Sequence, residues 1–101
     1  MEHQELLAGF VRLHILHHAA RGGIYGREMI EELERHRYKL SGGTLYPMLH
    51  AMERRGYLVS RRERRGRTFR RVYEATTIGR EALALAQSKV RELFREVVEG
   101  D

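Results

Sequence analysis

The segment 54–71 constrains this chain most, because it concentrates charge of one sign within a pattern typical of β structure. It holds nine arginines and one acid, Glu63, so its charge is +8, whereas the whole chain carries +5 and the remainder therefore −3. Tyr57 to Glu63 and Thr68 to Glu74 are rich in β-branched and aromatic residues, which favours strands. A short glycine-containing turn at 64–67 joins them. We therefore predict a β hairpin whose tip is almost entirely arginine.

Three helices are predicted before the hairpin. The first, from about residue 4 to residue 20, carries apolar residues at helical spacing that predict a broad buried face: Leu6, Phe10, Leu13 and Leu16, with Leu7, Val11 and Ile15 beside them. Glycines at 22 and 23 end it, and a short helix follows from about Tyr25 to His36. Ser41 is a good N-cap for a third helix that runs to about Arg55, with Gly56 at the position of a C-terminal cap.

The third helix has one apolar face and one mixed face. Its apolar stripe is Leu45, Met48, Leu49 and Met52. Pro47 lies near the helix start, where a proline costs least, because its ring crowds the carbonyl of Gly43. The outward face combines hydrogen-bonding groups, a small apolar patch and a cation: Thr44, Tyr46, Pro47, His50, Ala51 and Arg54. Such a face can contact base edges in a major groove, although an ordinary surface helix is the alternative.

A final helix is predicted from Thr76 or Thr77 to about Glu99. Its main apolar row is spaced 4, 3, 4, 3, 4 and consists of Gly79, Leu83, Ala86, Val90, Leu93 and Val97. This is more apolar surface than one helix in so small a domain needs, so we expect a partner helix, most simply that of a second copy. The expected dimerisation residues are Leu83, Ala86, Val90, Leu93, Phe94 and Val97.

Composition narrows the class of protein. A chain of 101 residues has room for one domain, in which residues 1–75 and 76–101 form one structural unit. No apolar run approaches the roughly 20 residues of a membrane span, and the polar start of the chain does not resemble a secretory signal. The lack of cysteine removes disulfides and thiolate chemistry. We expect a cytoplasmic protein without membrane contact.

The order helix, helix, helix, basic hairpin and long helix predicts a mainly α fold with a two-stranded β hairpin. This is the α+β arrangement of a winged helix-turn-helix with a C-terminal dimerisation helix. In it the third helix enters a major groove and the hairpin arginines meet the backbone or the minor groove. A basic segment on a mildly acidic body is also typical of polyanion binding. A solvated charged hairpin, or one that contacts an acidic surface, is the alternative.

The segment Leu40-Ser41-Gly42-Gly43-Thr44-Leu45-Tyr46-Pro47-Met48-Leu49 resembles L-S-x-G-T-L-Y-P-x-L of the PadR-like transcriptional regulators. Segments 7–16, 25–30 and 73–83 are similar, in order, to the first helix, the second helix and the last strand and helix of that family. The resemblance implies a winged-helix dimer, usually a repressor, whose last helix is the dimerisation arm. Two departures are Gly42, where proline is common, and Arg27, where an aromatic is common.

We therefore predict a DNA-binding transcriptional regulator, a repressor that binds a palindromic operator in double-stranded DNA as a homodimer, and not an enzyme. The expected DNA contacts lie on the second helix, the third helix and the hairpin tip: Tyr25, Arg27, Ser41, Gly43, Thr44, Tyr46, Pro47, His50, Arg54, Arg64, Arg65 and Arg67. Two alternatives stay open, a basic RNA-binding or ribosome-associated protein and a winged-helix adaptor that binds protein.

Other sites have less support in the sequence. A small hydrophobic or aromatic effector is a candidate ligand between the paired first and last helices, near Leu7, Phe10, Val11, Leu93 and Phe94. Relatives that bind flat aromatic effectors often use an interface tryptophan, which this chain lacks. His14, His17 and His18 have a spacing that suits a metal, but no cysteine or well-placed carboxylate completes the set, so no metal site is predicted. The sequence has no phosphate-binding glycine loop on a strand and no Ser/His/Asp order. We therefore predict neither a cofactor nor catalysis.

Overall fold

The computed structural model describes residues 3–100, and its elements follow the predicted order of three helices, a hairpin and a long helix. Residues 1, 2 and 101, which belong to the predicted ranges 1–75 and 76–101, lie outside the described part. The mainly helical winged fold is confirmed, with one strand more than predicted. The elements are α1 (Gln4–Arg21), β1 (Ile24–Tyr25), α2 (Gly26–Arg35), α3 (Gly42–Arg54), β2 (Leu58–Arg65), β3 (Thr68–Ala75), α4 (Thr77–Leu93) and a π-helical turn (Phe94–Val98).

The additional strand, β1, directly precedes α2, which begins at Gly26 with Tyr25 as its N-cap, within one residue of the predicted start. Strand β1 pairs antiparallel with β3 through Ile24↔Tyr73 and Tyr25↔Val72, which gives the sheet order β1-β3-β2. A Cβ on the preceding Gly23 would lie 2.4 Å from Val72 Cγ2, so the close approach of the two strands requires glycine. A strand of two residues is too short to produce a periodic pattern in the sequence.

The wing is formed by β2, β3 and their turn, and that turn is tighter than predicted. Strand β2 continues through Arg65, so Arg64 and Arg65 lie on the strand and the predicted four-residue turn at 64–67 was wrong. Gly66 and Arg67 alone connect the strands. Gly66 has a φ of 60°, a left-handed value that a two-residue turn needs at its first position and that glycine adopts at low cost.

Helix α1 is central to the core, and its buried face is narrower than the predicted one, of which Val11, Ile15 and Leu16 are confirmed. Val11, Ile15 and Ala19 are 1%, 0% and 0% exposed, whereas Leu6 and Phe10 are 76% and 41% exposed. Both rows have helical spacing, and only the packing of the neighbouring elements decides which row is covered. The prediction that Leu6 and Phe10 belong to the buried face was therefore wrong.

Caps determine where α3 ends and where α4 begins. Ser41 occupies the predicted N-cap of α3 in extended conformation, without a capping hydrogen bond from its side chain. Gly56 follows the end of α3 with a φ of 86°, as a C-terminal glycine does. The Thr76 hydroxyl accepts from Gly79 N at 2.9 Å and donates to the Gly56 carbonyl at 2.5 Å. A Cβ on Gly79 would lie 2.2 Å from the Tyr57 carbonyl oxygen, so Gly79 packs internally and does not extend the exposed row of α4.

Candidate nucleic-acid interface

The outward face of α3 is a continuous exposed surface. Leu45 and Leu49 are 0% exposed on the opposite side of the helix and fix its orientation on the core. Thr44 departs from the predicted face, because it is half-buried and lines a cleft of about 210 Å³ beside α1. The exposed positions on the outward face, to which Ser41 at the N-cap can be added, are Gly43, Tyr46, Pro47, His50 and Arg54.

The Tyr46 ring covers the start of α2. A Cβ on Gly26 would lie 2.4 Å from Tyr46 Cε1 and 2.6 Å from its hydroxyl oxygen, so the ring contacts the α2 backbone directly. The side chain nevertheless keeps 39% of its surface exposed. Tyr46 therefore joins the two helices of the helix-turn-helix while its remaining surface faces outward. The glycine at 26 is what permits this contact.

The arginines of the basic segment fall into two groups. Arg61 is ion-paired with Glu74, and Arg70 with Glu28, so these charges are largely compensated within the molecule. Among the described residues of this segment, five others have guanidinium groups without a hydrogen bond or an ion pair, namely Arg54, Arg55, Arg62, Arg65 and Arg67, and of these Arg62 lies over the Phe69 ring at 4.4 Å. The predicted hairpin cations thus differ, because Arg64 Nε donates to the carbonyl of Gly66 at 3.0 Å while Arg65 and Arg67 are unpaired.

A cleft of about 380 Å³ lies where the start of α2, the Tyr46 ring and the wing meet. Four of the predicted DNA contacts line it, namely Tyr25, Arg27, Tyr46 and Arg65. Arg71 also lines this cleft, which the sequence analysis missed. The alternation of β3 would not have found it, because whether an arginine faces the cleft depends on where α2 packs. The cleft brings cationic and aromatic side chains from five elements together, namely β1, α2, α3, β2 and β3.

A hydrogen-bond chain fixes the base of the wing to α3. Ser60 donates from its backbone N and from its hydroxyl to Glu53 Oε2, at 3.0 and 2.7 Å. The same hydroxyl accepts from an Arg71 guanidinium N–H at 3.2 Å. Because Glu53 lies in the last turn of α3, the wing is tied to the end of the helix whose outward face is described above. Sequence analysis did not identify Glu53, whose partner is seven residues away.

Comparison with known proteins shows the family. Residues 15–85 match the description "Transcriptional regulator PadR-like family". The chain belongs to this family. It is 47% identical over 97 residues to Transcriptional regulator Rv3488 of Mycobacterium tuberculosis (strain ATCC 25618 / H37Rv), which covers 96% of this chain and 91% of the relative. A PadR-like transcription factor from Bacteroides fragilis has the same fold, with a TM-score of 0.83, 21% identity and coverage of 97% and 96% of the two chains.

A second solved structure agrees with the first. The PadR-like transcriptional regulator from Bacillus cereus strain ATCC 14579 has a TM-score of 0.77 and 22% identity, with coverage of 96% of this chain and 99% of the other. The chain is thus a DNA-binding transcriptional regulator with a winged helix, as predicted, and its family consists of regulators rather than enzymes. Among residues 3–100, no helix combines the length and the hydropathy that crossing a membrane requires.

The histidines of this PadR-like regulator form a cluster between α1 and α2. His36 Nε2 lies 3.2 Å and His18 Nε2 3.7 Å from Glu32 Oε2, and the His14 ring lies 4.6 Å from that of His36. Burial, and then the neighbouring His36, lower the pKa of His14. Burial also lowers the pKa of His18 against the attraction of Glu32. In the described part of the chain, no three His, Cys, Asp or Glu side chains are arranged to hold a metal ion.

The predicted effector residues of the PadR-like chain do not share one cavity. Phe10 lines a groove of about 520 Å³ between α1 and α4, together with Leu83 and Val90. Val11 lies in the core at 1% exposure, so its assignment to this groove was wrong, because successive residues of a helix face different sides. Leu7 is half-buried near the start of α1. Leu93 and Phe94 lie at the far end of α4, 45% and 50% exposed.

The predicted dimerisation row of the PadR-like chain is largely uncovered. Leu83 and Ala86 are half-buried, and Leu83 packs against the core. Beyond them the row becomes exposed along the helix, at 43% for Val90, 45% for Leu93, 50% for Phe94 and 68% for Val97. The row continues past α4 into the π-helical turn. Its role in dimerisation stays a prediction.

Proposed function

We propose that this regulator is a repressor that binds a palindromic operator as a homodimer. Residues 1–75 would form the DNA-binding part and residues 76–101 the dimerisation arm of one structural unit. The observation that carries the proposal is the combination of a continuous exposed face on α3 with unpaired wing cations, Arg65 and Arg67, beside the cleft at the start of α2. A helix in the major groove with basic side chains on the flanking backbone is how winged helices bind DNA.

The proposed DNA contacts divide by chemistry. On α3, His50, Arg54 and the exposed part of Tyr46 present hydrogen-bonding groups to base edges, and Pro47 can contact a thymine methyl group. The free N–H groups at Ser41 and Gly43 begin the helix and suit a phosphate. The remaining proposed contacts are cations that suit phosphates or the minor groove, namely Arg27, Arg64, Arg65 and Arg67. Thr44 is a weaker candidate because it is half-buried beside α1.

The dimer is proposed from the apolar row that runs from Leu83 to Val97. Exposed side chains such as Phe94 and Val97 on the last helix and its π-helical turn need a cover that this chain does not supply. A symmetric dimer would place two α3 helices about one DNA turn apart, roughly 34–36 Å. Changing Val90 and Leu93 to glutamate should therefore yield monomers that bind DNA weakly. Analytical sedimentation measures the oligomeric state of the double variant. A stable dimer would contradict the proposed dimerisation arm.

An effector site is a separate proposal. Where the regulator takes a small hydrophobic or aromatic effector, we propose that it binds in the groove lined by Phe10, Leu83 and Val90. A ligand there contacts α1 and α4 together, and so can bias the spacing of the two recognition helices. A thermal-shift screen of aromatic compounds would find candidates. A compound that binds there but leaves DNA affinity unchanged would count against regulation through this groove.

The test of the main proposal is recovery of the operator. Purified protein is incubated with sheared genomic DNA, the retained fragments are sequenced, and the recovered motif is placed over a reporter promoter. We expect an inverted repeat with half-sites about 10 base pairs apart, preferred over scrambled duplex and structured RNA, and lower reporter expression. Equal retention of RNA would favour the RNA-binding alternative. No retention of either nucleic acid would favour the protein-binding adaptor, and higher expression would exclude a repressor.

A further inference from the structure

Arg70 joins the wing to the start of α2. One of its terminal N–H groups donates to Glu28 Oε1 at 3.2 Å, and its Nε lies 3.6 Å from Glu63 Oε1. The guanidinium carbon lies 3.5 Å from the centre of the Tyr25 ring, and the Tyr25 hydroxyl donates to the same Glu63 oxygen at 2.8 Å. Side chains from β1, α2, β2 and β3 thus form one connected group. We name Tyr25, Glu28, Glu63 and Arg70 the wing clamp.

The wing clamp lies where apolar packing does not support the wing. Between residues 61 and 71, no side chain is fully buried. Strand β1 pairs with β3 only at Val72 and Tyr73, so within the described residues the edge of β3 at 68–71 has no strand beside it. Arg70 lies on this edge and reaches across to α2. The contacts of Arg70 and Tyr25 therefore connect residues 61–71 of the wing to α2, whereas the Arg71–Ser60–Glu53 chain connects the base of the wing to α3.

Arg61 offers a comparison within the same wing. Arg61 lies on the same face of the sheet as Glu63. Its closest partner is Glu74 on the neighbouring strand. A longer contact of 3.9 Å leads to Glu63. Arg61 therefore ties one strand of the hairpin to the other, whereas Arg70 ties the hairpin to α2. The two residues carry the same charge but connect different parts.

We propose that Arg70 is a positioning residue that holds the wing against α2, so that Arg65 and Arg67 face the same DNA as α3. The proposal rests on the DNA-binding function proposed above and deepens it. Tyr25 acts as the platform for Arg70 rather than as a DNA contact, because its hydroxyl and one face of its ring are occupied by protein. Arg70 then affects DNA through the wing and does not itself bind a phosphate.

The binding test uses the full chain and a fluorescent duplex of random sequence, because wing contacts with phosphates do not depend on sequence. Arg70→Ala should weaken binding about tenfold more than Arg61→Ala, the matched loss of one wing arginine. In a background that carries Arg65→Ala and Arg67→Ala, the same change at Arg70 should have little further effect. Full additivity in that background would mean that Arg70 contacts DNA directly, and would overturn the proposal.

Glu28→Gln tests the proposal by the direction in which it changes the affinity for DNA. If Arg70 bound a phosphate, removal of its acidic partner beside the DNA would free the cation and strengthen binding. If Arg70 positions the wing, loss of the Glu28 carboxylate loosens the wing clamp and weakens binding. We expect weaker binding of the random duplex, together with a smaller effect in the background without the wing-tip cations. Stronger binding would overturn the proposal.

A third measurement needs no DNA. The chain has no cysteine, so Arg67→Cys can carry a single spin label at the wing tip. The electron paramagnetic resonance spectrum of the label should show a more mobile wing tip with Arg70→Ala than with Arg61→Ala. Equal mobility of the label in the two variants would overturn the proposal. A wild-type chain that binds no duplex, but whose wing becomes mobile with Arg70→Ala, would count against the proposed function alone. Should Arg70→Ala not fold, Arg70→Lys keeps the charge, loses the planar fork, and is compared with Arg61→Lys.

Discussion

Helix α3 and the outer wing form neighbouring parts of one surface, but different forces hold them. Leu45 and Leu49 anchor α3 in the core with no exposed surface. The outer wing has no such anchor between residues 61 and 71 and is connected through arginine and glutamate side chains. Apolar burial is not weakened by charge screening, whereas partly exposed ion pairs are screened by salt. The face that would contact bases is therefore rigid, and the part that would contact phosphates is adjustable.

This difference suits two tasks. Base contacts need side chains held in fixed positions, because the donor and acceptor pattern in the major groove tolerates little displacement. Phosphate contacts tolerate more, since a guanidinium attracts any nearby phosphate. Two connections link the regions: Glu53 of α3 binds Ser60 at the base of the wing, and Tyr46 packs on Gly26 of α2, the helix to which Arg70 ties the wing. The predictions below compare the regions, beginning with the largest expected effect.

Removal of core volume beneath α3 should cost far more stability than removal of an exposed wing contact. Leu49→Ala leaves a cavity under the helix and should lower the free energy of unfolding by about 2–5 kcal/mol. Arg61→Ala removes an ion pair that is largely exposed, and because such pairs contribute little to stability its cost should be much smaller. Urea unfolding followed by circular dichroism measures both. Comparable losses would show that the wing is held as strongly as α3.

Substitutions on the two regions should differ in their effect on DNA specificity. His50→Ala on α3 should cost about 1–3 kcal/mol at one operator position and reduce the preference for operator over random duplex. Arg65→Ala should weaken both duplexes by the same factor and make the slope against log salt shallower by about one unit per lost contact, counted twice in a dimer. Titrations at several salt concentrations separate the two outcomes. If Arg65→Ala changed the sequence preference and His50→Ala did not, the wing and not α3 would be the part that contacts the bases.

The link between the regions can be tested at Gly26. A methyl group there meets the Tyr46 ring at 2.4 Å, so Gly26→Ala should displace the ring, at a cost of about 1 kcal/mol, and weaken DNA binding. Gly9→Ala is the matched control, because a Cβ at Gly9 meets no atom within 4 Å. That control should stabilise α1 by about 0.5–1 kcal/mol, since alanine is the better helix former. In a Tyr46→Ala background the Gly26 substitution should lose most of its effect.

The sequence predicted α3 better than it predicted the wing, and the same forces explain why. Helix α3 follows from its apolar stripe and its caps, which are local patterns, and Gly56 takes the expected left-handed conformation. The wing clamp joins Tyr25 to Glu63 across 38 residues and Arg70 to Glu28 across 42 residues. No local spacing indicates such pairs. The basic segment therefore predicted a cationic wing but not which of its arginines are already paired.

Two errors in the fold prediction have a similar origin. The predicted buried face of α1 was too broad, because it included Leu6 and Phe10 beside Val11 and Ile15, and the other elements cover only the latter two. Strand β1 was not predicted because its two residues form a strand only through β3. In both cases a distant element decides between local patterns of equal strength. Helical periodicity predicts that a helix forms, whereas tertiary packing determines which face of the helix is buried.

A change of pH should separate the wing from α1 and α2, which carry His14, His18 and Glu32, and this is the smallest of the four expected effects. All six histidines precede residue 51, so the wing carries none. The pKa values of His14 and His18 lie below the ordinary value of 6.5, chiefly through burial, so the folded chain binds fewer protons than the unfolded chain near that pH. The stabilisation is complete above 6.5 and is lost as pH falls through the folded pKa values. Unfolding free energy should therefore decrease from about pH 7.5 to about pH 5.5.

Hydrogen exchange shows where this loss occurs. Amides of α1 and α2, which carry His14, His18 and Glu32, should lose protection on acidification beyond the intrinsic change in exchange rate. The wing amides should keep theirs, because the wing carries no histidine. His14→Phe should remove part of the pH dependence, since a ring without a proton site fills the same space. Equal loss of protection in the wing would mean that the two regions unfold as one unit, and that different forces do not make them independent.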